Sequence, residues 1–164
     1  MRHVFWIEEG TVAGRRGPWQ ATFDLAAMEA AGIGAILTLD AEEAELLPPL
    51  PAEGAPGGGI VGKCIHLTPN IPPGPEDYRL YAERVPEALS FLLDWVENRK
   101  GAVLVHCHAG NDRTGTVLAA WICATRGKSP VDAIEEVRIA NPEALSAYGY
   151  EEMALEVLNG IFSR

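Results

Sequence analysis

Cysteine is scarce in this sequence: Cys64, Cys107 and Cys123 are the only three in 164 residues, and no two form a Cys-x-x-Cys pair. An odd, sparse set argues against a disulfide framework and against a zinc cluster, and it leaves at least one thiol free. Cations are also few, 13 Lys and Arg against 23 Asp and Glu, for a formal net charge of −10. Nucleic acid and anionic lipid surfaces demand a positive field, so neither is expected as a partner beyond what a local basic pocket could hold. No apolar run approaches the roughly 20 residues of a membrane-spanning helix, and the opening Met1-Arg2-His3 lacks the apolar core of a signal peptide. The cytoplasm is the expected compartment, and the length suits a single domain over residues 1–164 with a core of its own.

Apolar periodicity divides the chain into short strands and helices. Val4 to Ile7 is β-prone, and the run through Gly10, Gly14, Gly17 and Pro18 reads as a loop. Asp24 to Ala31 suits a short helix closed by Gly32, followed by a buried strand from Ile33 to Leu39. Four prolines and four glycines between Pro48 and Gly59 require a loop, Ile60 to Leu67 reads as a strand, and Pro69 to Pro75 is rigid. Tyr78, Tyr81, Val85, Leu89, Leu92, Trp95 and Val96 recur at steps suited to a long amphipathic helix from Glu76 to just before Gly101, kinked or divided at Pro86. Ala102 to His106 is a strand and Thr114 to Thr125 a helix with Gly127 beyond it. Ser129 and Asp132 form a capping pair with Pro130 at the first helical position, Pro142 stops that helix, and a last one spans Tyr150 to Phe162.

The chemistry concentrates between the strand and helix that flank His106-Cys107-His108-Ala109-Gly110-Asn111-Asp112-Arg113-Thr114. A loop entering a helix N-terminus turns several N–H groups toward one point, where the helix dipole adds positive potential. An anion is favoured there, and so is the thiolate form of Cys107, which makes this residue a nucleophile. Five residues separate Cys107 from Arg113, enough for the chain to curl and bring a planar guanidinium beside the sulfur, where its fork matches phosphate oxygens. Thr114 can offer a hydroxyl to the sulfur, Gly110 allows close backbone approach to a ligand, and His106 can support the loop from behind.

Taken alone, a cysteine is more often a core residue, an arginine an ion-pair partner and a threonine a helix cap. Their joint placement between a strand and a helix favours a site. Cys123 reads as core, and so does Cys64, with a disulfide from Cys64 to Cys107 as an oxidation guard as the alternative.

At these residues the sequence resembles the protein-tyrosine and dual-specificity phosphatase superfamily, whose loop reads His-Cys, five residues, Arg, then Ser or Thr. Trp6 to Pro18, and Ala133 to Tyr148 with Asn141-Pro142, look more loosely like small atypical members. The resemblance implies an α/β fold with a central, mostly parallel sheet flanked by helices, and a cysteine-dependent hydrolase that needs no metal or organic cofactor. It implies catalytic roles for Cys107, Arg113 and Thr114, and substrate contacts from His108, Ala109, Gly110, Asn111, Asp112 and Arg113.

Two residues compete as the acid that protonates the leaving oxygen. Asp77 stands 30 positions before Cys107, about where many members carry their acid, yet Asn70 occupies the place before Ile71-Pro72-Pro73 where small atypical members carry Asp. Asp112 directly precedes the loop Arg, as in a subset of bacterial and lipid-directed members, and is preferred; Asp77 could instead complement the dipole of its helix. The expected substrates are phosphotyrosine and other phosphoprotein or aryl phosphates. A phosphoinositide would call for more lysine in the loop. A rhodanese-like sulfurtransferase and a phosphate-binding module without turnover are the competing classes. Trp6, Trp19, Tyr78, Tyr81 and Tyr148 either line the pocket or join the core.

Overall fold

Short β-branched and apolar runs make the strands, and five of them share one sheet in the computed structural model, which describes residues 1–98 and 101–163. They are β1 (Val4–Glu8), β2 (Val12–Arg15), β3 (Ile33–Thr38), β4 (Val61–Cys64) and β5 (Ala102–His106), arranged β1-β2-β5-β3-β4. Only the β1–β2 pair is antiparallel; β2–β5, β5–β3 and β3–β4 are parallel. The mostly parallel sheet expected from the sequence is therefore present, with β5 at its centre.

Among the described residues six helices surround it: α1 (Leu25–Ala30), α2 (Ala41–Ala44), α3 (Pro75–Glu97), α4 (Asp112–Arg126), α5 (Pro130–Ala140) and α6 (Tyr150–Phe162). Side chains alternate across a strand, and the core divides accordingly. Val103 and Val105 of β5 join Leu37 of β3 in the larger core with Leu92 of α3, Leu118 of α4, Ile134 of α5 and Leu158 of α6. Ala102 and Leu104 face the other way, where Ile33 and Ile36 pack with Met28 of α1. An apolar sheet covered on both faces holds the C-terminal end of β5 rigidly, and the Cys107 loop begins there.

Several of these expectations need correction. The presumed loop after β1 contains the strand β2, because Gly14 is a packing glycine rather than a turn residue. A Cβ on Gly14 would sit 2.2 Å from Phe5 Cζ, whereas Gly10, at φ 75°, makes the turn. Pro86 lies inside α3 without dividing it; the helix runs from Pro75 to Glu97 with Asn98 as its C-cap, and residues 99–100 of the expected helix lie outside those described.

The strand expected over Ile60 to Leu67 is shorter, although Ile65 and Leu67 still donate N–H bonds to Thr38 and Leu39. Cys64, expected in the core, is exposed at the end of this edge strand, while Cys123 is buried as expected. Cys64 aligns with Thr38 and Thr38 with His106, which puts two strand spacings, roughly 10 Å, between the Cys64 and His106 backbones. A disulfide needs Cα atoms within about 7 Å, so this backbone does not pair Cys64 with Cys107.

Candidate active site

At the C-terminal end of β5 the chain turns through Cys107–Asn111 into α4, and the scaffold takes up the loop's carbonyl oxygens. Leu39 N donates to His106 O, Gly17 N to His108 O, and Leu145 N to Asn111 O, at 2.8, 2.9 and 3.3 Å. Asn141 Nδ2 donates to Gly110 O at 3.3 Å and to Asn111 Oδ1 at 3.0 Å. With the carbonyls held outward, the N–H groups from His108 to Arg113 have no protein acceptor among the described residues. Such a cradle of free N–H groups at a helix N-terminus is an anion site.

Its floor is Cys107, only 2 % exposed, in a pocket of about 350 Å³ also lined by His108, Ala109, Asp112, Arg113 and Tyr150. Thr114 Oγ1 donates to Cys107 Sγ at 3.1 Å, the contact expected of it. His106 is fully buried behind the loop: Nε2 meets Thr38 Oγ1 at 2.8 Å, Nδ1 meets Cys107 O at 3.1 Å, and Phe23 packs edge-on against the ring. Burial holds its pKa down to about 4, with the Arg15 and Arg113 charges adding to the effect and the Cys107 carbonyl and Asp40 opposing it.

Gly110 also serves the packing of the loop. At φ 78°, its missing side chain faces the Arg15–Arg16 peptide, where a Cβ would come within 2.7 Å of three backbone atoms. The close approach that this glycine permits here is to the end of β2. Asn111 is the N-cap position of α4, with its side chain tied to Asn141 rather than lining the pocket.

Two acidic residues that sequence reading missed hold Arg113 and His108. Arg113 Nη1 donates to Asp40 Oδ2 at 2.8 Å and to Leu67 O at 3.3 Å, with both charged side chains almost buried. Burial works against the Arg113 charge, but Cys107 and Asp40 outweigh it and raise its pKa. Burial likewise opposes ionisation of Asp40, which Arg113 and the backbone N–H groups of Glu43 and Glu42 overcome, so that its pKa is lowered. Arg113 Nε and Nη2 have no acceptor among the described residues and can grip an anion. Glu43, in α2, accepts from Trp19 N at 3.0 Å and meets His108 Nδ1 at 2.5 Å, so His108 is oriented rather than freely solvated. One signal was available: Asp40 follows a buried apolar strand, and the C-terminal ends of parallel strands are where such sheets build their sites.

The two candidate acids occupy different environments. Asp112 lines the pocket, and among the described residues its carboxylate accepts one hydrogen bond, from Ala147 N at 3.2 Å. Burial raises its pKa against the opposing pull of that bond and of Arg113. Asp77 lies outside the pocket lining and accepts from Thr68 Oγ1, Asn70 Nδ2 and Gly74 N at 2.5, 2.9 and 2.7 Å. Burial would raise its pKa, but these three donors lower it, and the residue caps α3. A carboxylate so fully satisfied is a poor proton donor.

Of the aromatic candidates, Tyr81 is core, Tyr78 is partly buried against it, and Trp6 lines a separate groove beside α5. Trp19 and Tyr148 are exposed, and the aromatic that does line the pocket is Tyr150. Among the described residues no group of three or more potential metal-ligating side chains occurs, and no helix is long and apolar enough to cross a membrane.

Comparison with known proteins agrees with this geometry. The family model described as dual specificity phosphatase, catalytic domain, matches residues 70–157. Dual specificity protein phosphatase 12 of Rattus norvegicus is 32 % identical over 121 residues, which are 74 % of this chain and 32 % of that protein. Dual specificity protein phosphatase CDC14C of Homo sapiens is 44 % identical over 51 residues, 31 % of this chain and 11 % of that one. The chain thus spans a third or less of the length of these curated relatives.

Among solved structures, Tk-PTP in its active form is 25 % identical with a TM-score of 0.65, over 99 % of this chain and 98 % of that one. The human tyrosine phosphatase-like serine/threonine/tyrosine-interacting protein is 19 % identical with a TM-score of 0.73, over 100 % of both chains, a likeness of fold. The family model covers more than half of this sequence, including the Cys107 loop and the helix that anchors it, and the chain belongs to the dual-specificity phosphatase catalytic-domain family.

Proposed function

We propose that the protein hydrolyses phosphate monoesters on phosphotyrosine, and on phosphoserine or phosphothreonine, through a phosphocysteine intermediate. The observation that carries this reading is the convergence on one pocket of the Cys107 sulfur, the free N–H groups of its loop and the unspent Arg113 donors. The Cys107 thiolate attacks phosphorus, and the P–O bond to the leaving group breaks as S–P forms. Arg113 and the loop N–H groups hold the three non-bridging oxygens, most strongly as charge builds on them. Asp112 gives its proton to the leaving oxygen, helped by the burial that raises its proton affinity. Water then attacks phosphorus, Asp112 takes a proton back, and sulfur leaves as a thiolate with the Thr114 hydroxyl donating to it.

PTPMT1 in complex with PI(5)P is a fold neighbour, 18 % identical with a TM-score of 0.71. A polyphosphorylated head group suits this pocket poorly, because Asp40, Glu42 and Asp112 line it beside a single guanidinium, that of Arg113. Inorganic phosphate release from phosphotyrosine, phosphoserine and phosphothreonine peptides, and from a phosphoinositide, without added metal, tests the reading. Turnover of the peptides above the lipid is expected. Turnover of the lipid alone would overturn the substrate assignment. Persulfide transfer from thiosulfate without phosphate release would favour a sulfurtransferase, and phosphopeptide binding with no turnover a binding module.

A further inference from the structure

A second groove, of about 500 Å³, continues from the catalytic pocket, sharing Asp40, Glu42 and His108 with it and adding Trp19, Glu45 and Leu46. Two features set it apart from ordinary surface. Trp19 is 72 % exposed and Leu46 49 %, so an indole and an isobutyl group lie open beside a catalytic pocket. Glu42 and Glu45 are exposed and form no ion pair among the described residues.

The groove is also prepared before any ligand arrives. Glu43 fixes Trp19 through its backbone N–H, and the turn before it is closed by Gly17, where a Cβ would meet Cys107 O at 2.3 Å and Glu43 Oε2 at 2.7 Å. The indole is therefore held on a backbone packed directly against the nucleophile's own residue. An exposed aromatic beside unpaired carboxylates suits a long cationic side chain, whose stem lies on the ring while its charged end meets the carboxylates.

We propose that this groove receives the residue next to the phosphorylated side chain of a polypeptide substrate and selects Lys or Arg there. This rests on the phosphatase reading for what occupies the pocket. The occupant follows from charge complementarity: the same carboxylates repel an acidic neighbour and a second phosphate, while the loop N–H groups and Arg113 retain the first. Arg is the better fit, since its planar guanidinium can stack on the indole and fork onto a carboxylate.

The test uses matched phosphotyrosine peptides with Arg, Ala or Glu on both sides of the phosphorylated residue, with a small aryl phosphate as reference. The expected order of kcat/KM is Arg over Ala over Glu, with about tenfold between Arg and Ala, from an exposed cation–π contact and a surface ion pair together. Added salt should shrink that ratio. Trp19→Ala and Glu45→Gln should each flatten it while leaving aryl phosphate turnover unchanged. Equal kcat/KM across the peptides, with the aryl phosphate turned over, overturns the groove and leaves the phosphatase reading standing. Failure to turn over any substrate overturns the phosphatase reading instead; calorimetric affinities of the three peptides then judge the groove, tighter binding of the Arg peptide supporting it and equal binding overturning it.

Discussion

Asp112 and His106 show how burial sets proton affinity in opposite senses for an acid and a base. A buried carboxyl keeps its proton to higher pH, so the basic limb of the Asp112-dependent rate should lie above the ordinary carboxylate range. Asp112→Asn is expected to lower kcat by 10²- to 10⁴-fold and to abolish that limb, read from pH–rate profiles. A retained limb would remove Asp112 from the acid's role. His106 is neutral when folded, with a pKa of about 4 against 6.5 for the free group, so below pH 6.5 the unfolded chain binds more protons. Stability is therefore full above pH 6.5 and is lost as pH falls toward 4, by about 3 kcal/mol from this residue. Urea unfolding of the wild type should show that slope and His106→Asn should flatten it; an unchanged slope would contradict the assignment. Asp40 and Asp77, whose pKa values are lowered, lose their contributions at more acid pH, below the ordinary carboxylate value of 3.8.

Two segments flank the Cys107 loop around the pocket, and each is held by one carboxylate. The loop before α3 is pinned by Asp77, which satisfies Thr68, Asn70 and Gly74 and so steadies the segment that carries the rim residues Pro69 and Ile71. Asp77→Ala strands these donors and should cost about 2 kcal/mol in denaturant unfolding while leaving the basic limb of the pH–rate profile in place. Loss of that limb would return Asp77 to the acid's role. On the opposite side, α2 is a single turn capped by the residue that also holds Arg113: Asp40 Oδ1 accepts from Glu42 N and Glu43 N while Oδ2 takes the guanidinium. So short a helix carries no periodic signal, and none was read between the strand ending near Leu39 and the proline-rich loop.

At the scale of the molecule, what could be read from the sequence was what depends on local pattern. The unbroken apolar run of β5 follows from burial on both faces of the sheet, the 3.6-residue repeat of α3 from burial on one, and the loop keeps Cys107 and Arg113 within a few positions of one another. What could not be read depends on distance along the chain. Asp40 lies 73 residues from Arg113, and Glu43 lies 65 from His108. Nothing in either neighbourhood marks the pairing, which exists because β3 and β5 are adjacent in the sheet. Gly14 misled for the same reason, since it is a glycine because another segment presses against it.

The central claim is that the sulfur at the floor of this pocket is the nucleophile, and its most direct test is phosphate release from a small aryl phosphate without metal, wild type beside Cys107→Ser. Oxygen for sulfur leaves the Thr114 contact and the loop in place but supplies a far weaker nucleophile, so the account predicts turnover by the wild type and none by the variant. Equal rates in the two, or no release by either, would contradict it.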